Sequence, residues 1–144
     1  MCIRDRRNGG GWRLEIRSRD AAATRLSTVV LRDVALSISS SVGRTSTIGD
    51  QRLSHVVDPR TGVALEGTVE AIVVSERAGL ADGWSTALLV LGADRESLRL
   101  VERAALQAYV FESGGRIAFT EGWASLEAEA PRGEVPASSS RSGI

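Results

Sequence analysis

Thr68-Val69-Glu70-Ala71-Ile72-Val73-Val74-Ser75 and, shortly after it, Asp82-Gly83-Trp84-Ser85-Thr86-Ala87-Leu88-Leu89-Val90-Leu91 decide the class of fold. The first run is apolar and β-branched along most of its length, which fits a buried strand. The second has helical character and stops at Gly92, the residue type that most readily takes the backbone conformation beyond a helix end. The flanks supply further strands. Trp12 to Arg17 alternates apolar with charged residues, the period of a half-buried strand. Thr28 to Arg32 and Val34 to Ser39 are extended segments around Asp33, where a tight reversal or bulge is expected, and Ser39 to Gly43 leaves the sheet as a loop. Leu53 to Val57 is a short strand. Asp94 caps a second helix reaching about Ala105, with Leu98, Val101 and Ala105 on one face. Gln107 to Glu112 and Arg116 to Thr120, joined around Gly114-Gly115, form a β-hairpin. The expectation is an α+β fold, a mixed or antiparallel sheet with two helices.

At 144 residues the chain has room for one domain or a piece of a larger one. Eighteen basic residues balance eighteen acidic ones, so no global field holds nucleic acid or an anionic membrane by charge alone. No apolar run approaches the roughly 18 to 20 residues of a transmembrane helix, and the N-terminus carries charges where a signal peptide has its apolar stretch. All the basic residues are Arg and none is Lys, a bias of GC-rich genomes. The only Met and the only Cys are Met1 and Cys2, within Met-Cys-Ile-Arg-Asp-Arg, so residues 1–6 read as a sequencing artefact and cysteine chemistry is excluded. From Pro131 onward Ser, Gly, Pro and Arg dominate, and residues 131–144 are expected to be a disordered tail.

Two clusters could carry chemistry. In Ser54-His55-Val56-Val57-Asp58-Pro59-Arg60-Thr61-Gly62, proline and glycine make a rigid turn after the strand, and His55 is the sole histidine. Ser54, His55 and Asp58 have the letters of a hydrolase triad, but no nucleophile elbow accompanies them. A lone strand histidine is commonly structural. Asp58 can accept hydrogen bonds within its own turn, and Arg60 offers a fork of donors for phosphate or carboxylate. The second cluster is Asp82, Ser85 and Thr86, spaced i, i+3 and i+4 at the expected helix start, so that their oxygens converge on one face. One carboxylate with hydroxyls suits a Mg²⁺ that keeps water and takes further ligands from phosphates. An Asp N-cap followed by Ser and Thr bonded to the preceding turn fits the same spacing. The glycines at 9 to 11 precede no dinucleotide or Walker spacing.

Ser54 to Gly62 resembles the hallmark S-H-[IV]-[IV]-D-P-x-T-G of the ApbE family of FAD:protein FMN transferases. Ala81-Asp82-Gly83-Trp84-Ser85-Thr86-Ala87-Leu88-Leu89-Val90-Leu91-Gly92 resembles that family's A-D-A-x-[SD]-T-x-L-x-V-L-G helix, in the same order along the chain. Weaker similarity lies in Ala35 to Ser40, in Ala105 to Phe111 and in Phe119 to Gly122, which looks like the closing strand, so that the resemblance covers roughly residues 12 to 123.

The resemblance implies an ApbE-like, T-fold-like partial domain, with residues 7–130 the C-terminal part of a flavin transferase domain. It implies Mg²⁺-dependent cleavage of FAD, attachment of FMN to a Thr or Ser of a target flavoprotein, and release of AMP. By position, Asp82 and Thr86 match metal ligands, and Ser85 stands where some members place a third, acidic one. His55 matches the FAD site by side chain and Val57 by backbone, with Asp58 beside them. Ser40-Ser41-Val42 departs from the family's Gly-Asp-Tyr run. The family's N-terminal half, with further flavin contacts and another metal ligand, is expected before residue 1, which would leave this chain inactive alone. A flavin-binding or flavin-trafficking protein of the same fold is the rival reading, separated by whether a target acquires covalent FMN. Compartment is not readable from the residues, although relatives are often exported, periplasmic and lipid-anchored.

Overall fold

The computed structural model describes residues 10–17, 27–42, 45–67, 69–112 and 114–128. The expectations for residues 1–6, for Thr68 and for the tail at 131–144 lie outside them. The order is β1 (Trp12–Ile16), β2 (Ser27–Leu31), β3 (Ala35–Ser40), β4 (Thr45–Ile48), β5 (Gln51–Ser54), β6 (Val69–Ser75), α1 (Ala78–Leu91), α2 (Arg95–Arg103), β7 (Gln107–Glu112) and β8 (Arg116–Phe119), followed by a 3₁₀ turn at Glu121–Leu126. The fold is α+β, as expected, and every pairing is antiparallel.

The central sheet runs β3-β6-β7-β8, with β6 in the interior and β3 at an edge. Because side chains alternate across a strand, β6 serves two cores at once. Ala71 and Val73 pack with Ala35, Ala81, Leu88, Leu98, Val101 and Val110 under the helices. Ile72 and Val74 pack with Ile16, Leu31, Leu36, Tyr109, Phe111 and Trp123 on the opposite face, which β1 and β2 cover. Burial on both faces explains why this strand reads as a continuous apolar run. The same alternation turns Ser37 and Ser39 of β3 toward α1 and sends Ile38 and Ser40 to the other side.

Helix α1 begins at Ala78, so Asp82 stands in its second turn and is not the N-cap. Arg77 holds that position with no side-chain cap, which is why the start carried no capping signal. Packing of the fully buried Ala81 against the sheet extends the helix past the point where residue types alone begin it. Its end is as expected, with Gly92 at φ 82° and its N–H donating to the Leu88 carbonyl. Asp94 caps α2 as expected, its Oδ1 accepting from the Ser97 N–H at 2.8 Å. Leu98 and Val101 are buried, but Ala105 lies past the helix end, exposed, at φ 56°. There the Leu106 N–H donates to Val101 and the Ala105 N–H to Glu102, a Schellman closure with alanine where glycine is usual.

Asp33 takes a positive φ of 49°, and the chain there passes from one sheet to another, since β2 pairs with β1 and β3 with β6. The loop expected from Ser39 to Gly43 starts later than its residue types suggest, because Ser39 and Ser40 are still paired in β3; further on, where no element was expected, β4 pairs with β5 through Gly49-Asp50, with Gly49 at φ 61°. Strand β5 ends at Ser54, short of the expected Val57. The β7–β8 hairpin forms as expected around Gly114 and Gly115, both at positive φ. The segment after Phe119 is a 3₁₀ turn rather than a closing strand, anchored by the fully buried Trp123 against Tyr109, centroids 5.4 Å apart.

Candidate functional site

The segment that follows β5 is tied down by its own polar groups. Ser54 Oγ donates to the Ser41 carbonyl at 2.7 Å and accepts from the Val56 N–H at 3.1 Å. Ser41, completely buried, in turn donates its Oγ to the Gly67 carbonyl and accepts from the Val69 N–H. The stretch that departs from the family pattern is therefore a hydrogen-bonded junction between the end of β3 and the start of β6. Between Ser54 and Val56, His55 sits at a bend with its side chain exposed.

Beyond it the chain folds back on itself. Val57 bridges to Ala64, the Asp58 N–H donates to Val63, and the Thr61 and Gly62 N–H groups donate to the Asp58 carbonyl, with Gly62 at φ 70°. The Asp58 carboxylate accepts the Arg60 N–H at 2.8 Å and the Arg60 guanidinium in a fork, Nε to Oδ1 at 3.0 Å and Nη2 to Oδ2 at 2.7 Å. Those side-chain bonds first, and the backbone bond second, hold the Asp58 carboxyl below its usual range. Asp58 and Arg60 thus close the rigid turn, and Val57 stands half exposed at its edge.

The second cluster lies across β3. Asp82 is exposed on α1 and accepts from Ser37 Oγ at 3.2 Å. Ser85, fully buried, has its Oγ 2.9 Å from the Asp82 carbonyl, 3.1 Å from Ser37 Oγ and 2.8 Å from Ser39 Oγ. Thr86 Oγ1 is 3.2 Å from the Asp82 carbonyl and 3.3 Å from Ser39 Oγ, on the exposed side. The i, i+3, i+4 spacing does bring the three residues onto one helical face, and the serines at 37 and 39 complete a hydroxyl network that spacing on α1 alone does not show. Ser85 is enclosed by this network. Asp82 and Thr86 keep an outward aspect, and as hard oxygen donors they fit a Mg²⁺ that retains water or phosphate ligands. No cluster of three or more His, Cys, Asp or Glu placed for a metal occurs among the described residues.

One cleft of about 630 Å³ takes His55 and Val56 from the first cluster and Thr86 from the second, together with Leu89 of α1, Ile38, Ser39 and Ser40 of β3, and Glu15, Ile16 and Arg17 at the end of β1; Val57, Asp58, Asp82 and Ser85 are not in its wall. Glu70 on β6 also lines it, although only 2% exposed. Reading the sequence missed Glu70, which sits inside an apolar run; the only signal was a charge within a strand buried on both faces. Trp84 is half-buried against the helical core and stays outside the cleft wall.

A histidine-bearing turn and a hydroxyl-bearing helix face that converge on one cleft of an antiparallel α+β fold form a candidate small-molecule site. The ApbE family model matches residues 1–110, and the chain belongs to the ApbE family. Among proteins it resembles, the FAD:protein FMN transferase of Escherichia coli strain K12 is 33% identical over 112 residues, covering 75% of this chain and 32% of that protein. The FAD:protein FMN transferase of Rhodobacter capsulatus is 35% identical over 97 residues, covering 65% and 18%. The chain thus spans about a third or less of the length of these relatives. Its fold matches the ApbE protein of Thermotoga maritima with TM-score 0.72 at 25% identity, over 85% of this chain and 40% of the other. The apo Pseudomonas stutzeri flavinyl transferase ApbE matches at TM-score 0.62 and 27% identity, over 85% and 39%. Among the described residues no helix is long and apolar enough to cross a membrane.

Proposed function

We propose that this chain supplies the C-terminal part of the active site of an FAD:protein FMN transferase, which moves FMN from FAD to a Thr or Ser of a target flavoprotein and releases AMP. The observation that carries the reading is that His55 and Thr86, from two separate motifs, line one cleft. In the reaction the acceptor oxygen forms a bond to the FMN-side phosphorus and the bridging P–O bond breaks. AMP departs with the electron pair, and the hydroxyl proton passes to a base. Asp82 and Thr86 would hold the Mg²⁺, which would neutralise charge developing on the pyrophosphate. Val56, Ile38 and Leu89 give the cleft apolar wall for a ring system, and His55 orients the ligand from the turn that Asp58 and Arg60 keep rigid. The exposed position of Thr86 on the cleft wall, with Asp82 exposed one turn earlier on the same helical face, supports this division of labour, and Ser85 contributes by holding the network together.

The test is a chimera in which residues 12–123 replace the matching segment of the Escherichia coli relative, assayed with FAD, Mg²⁺ and an acceptor flavoprotein. Flavin fluorescence on the denatured acceptor is the expected result. FAD binding without a labelled acceptor would instead identify a flavin-binding protein, and neither binding nor label would reject the reading.

A further inference from the structure

An exposed carboxylate on a helix samples several rotamers, and a cation gains from it only what remains after one of them has been selected. Asp82 is exposed on α1, and among the described residues the hydrogen bond that its carboxylate receives comes from Ser37 Oγ, at 3.2 Å to Oδ1. Ser37 is partly buried on β3, where antiparallel pairing with Val73 fixes its backbone and the alternation of the strand turns it toward α1. The anchor therefore sits on the sheet, not on the helix that carries Asp82 and Thr86.

Proton counting gives the network a direction. An ionised carboxylate only accepts, so the single Ser37 proton goes to Asp82, and Ser37 Oγ accepts from Ser85 at 3.1 Å. The Ser85 proton is shared between Ser37 Oγ and the Asp82 carbonyl at 2.9 Å, so the 2.8 Å contact of Ser85 with Ser39 takes its proton from Ser39. Thr86 then donates to the Asp82 carbonyl at 3.2 Å or to Ser39 at 3.3 Å, both inside the network. Its lone pairs, rather than its proton, are left for the cleft wall that it lines. Ser37 links the charge of Asp82 to these hydroxyls.

We propose that Ser37 is a positioning residue for a divalent-cation site: its hydroxyl holds the Asp82 carboxylate through Oδ1, so that Oδ2 and the Thr86 hydroxyl oxygen are the donors offered to the ion. Ser37 acts through Asp82 and touches neither the ion nor the flavin. The inference rests on Asp82 and Thr86 as the Mg²⁺ ligands of this chain.

The test titrates Mn²⁺, a paramagnetic ion that takes the same hard oxygen donors as Mg²⁺, into the ¹⁵N-labelled chain, and reads affinity from broadening of the Asp82 and Thr86 amide signals. Ser37→Ala is expected to weaken Mn²⁺ about tenfold, the lower end of what losing a group that orients a metal ligand costs. Ser37→Thr keeps the hydroxyl on a residue suited to a strand and should bind as the wild type does. Ser37→Val has the shape of that variant without the hydroxyl and should bind as weakly as Ser37→Ala, so the Thr and Val pair separates hydrogen bonding from packing even where alanine disturbs folding. Wild-type affinity in Ser37→Ala or Ser37→Val overturns the role of Ser37 and leaves the cation site standing. Equal loss in Ser37→Thr and Ser37→Val overturns it too, since the hydroxyl would then not be what matters. Absence of broadening at Asp82 and Thr86 in the wild type overturns the metal assignment and this proposal together.

Discussion

Replacing Asp82 by alanine separates a metal-binding carboxylate from a structural one more cleanly than the sequence allowed. Had Asp82 been the N-cap of α1, its loss would cost about 0.5 to 2 kcal/mol. It stands instead in the second turn, exposed, with a hydrogen bond of 3.2 Å from Ser37. Losing one long, exposed hydrogen bond to the carboxylate costs about 0.5 to 1.5 kcal/mol, while exchanging aspartate for alanine inside a helix gains roughly 0.5 to 0.7 kcal/mol in propensity. The two largely offset, so Asp82→Ala should lie within about 1 kcal/mol of the wild type. Urea denaturation of the chain followed by circular dichroism reads this directly. Mg²⁺-dependent labelling by the chimera should nevertheless be abolished. A destabilisation of about 2 kcal/mol would show that the carboxylate is structural, and full labelling at saturating Mg²⁺ would refute its assignment to the metal.

His55→Ala should lower FAD affinity or turnover and leave the urea midpoint unchanged, because the side chain is exposed at the cleft; the reverse pattern returns His55 to a structural role. Ala105→Gly should raise stability by about 0.5 to 1 kcal/mol in the same denaturation assay, since alanine there is held at φ 56°, and no gain would show that the Schellman geometry is wrong. Asp94→Ala should cost about 0.5 to 2 kcal/mol at pH 7 by removing the cap on α2. Because the Ser97 N–H, then its hydroxyl, lower the Asp94 carboxyl in the folded chain, the cap's contribution is complete above the unfolded value of about 3.9 and disappears as pH falls through the lower folded value. The difference between wild type and Asp94→Ala should accordingly shrink in melts below about pH 4, and a constant difference would contradict this origin.

The sequence by itself determined what local chemistry controls. The two-faced burial of β6 is written in its apolar run, the Asp94 cap and the Gly92 stop in single residues, and the 58–62 turn in Asp58, Pro59 and Gly62. It also brought Asp82, Ser85 and Thr86 onto one face, because helical spacing is a local property. Tertiary structure decided the rest. Where α1 begins depends on Ala81 packing against the sheet, which no capping residue announces. That Ser37 and Ser39 complete the hydroxyl network follows from the antiparallel register of β3 on β6 and from α1 lying on that face. The β4–β5 hairpin and the 3₁₀ turn at Trp123 form through partners that residue type alone does not name. Glu70 became part of the site for the same reason: alternation sets which face a strand residue takes, but only the sheet order, with β3 at the edge, puts that face beside a cleft.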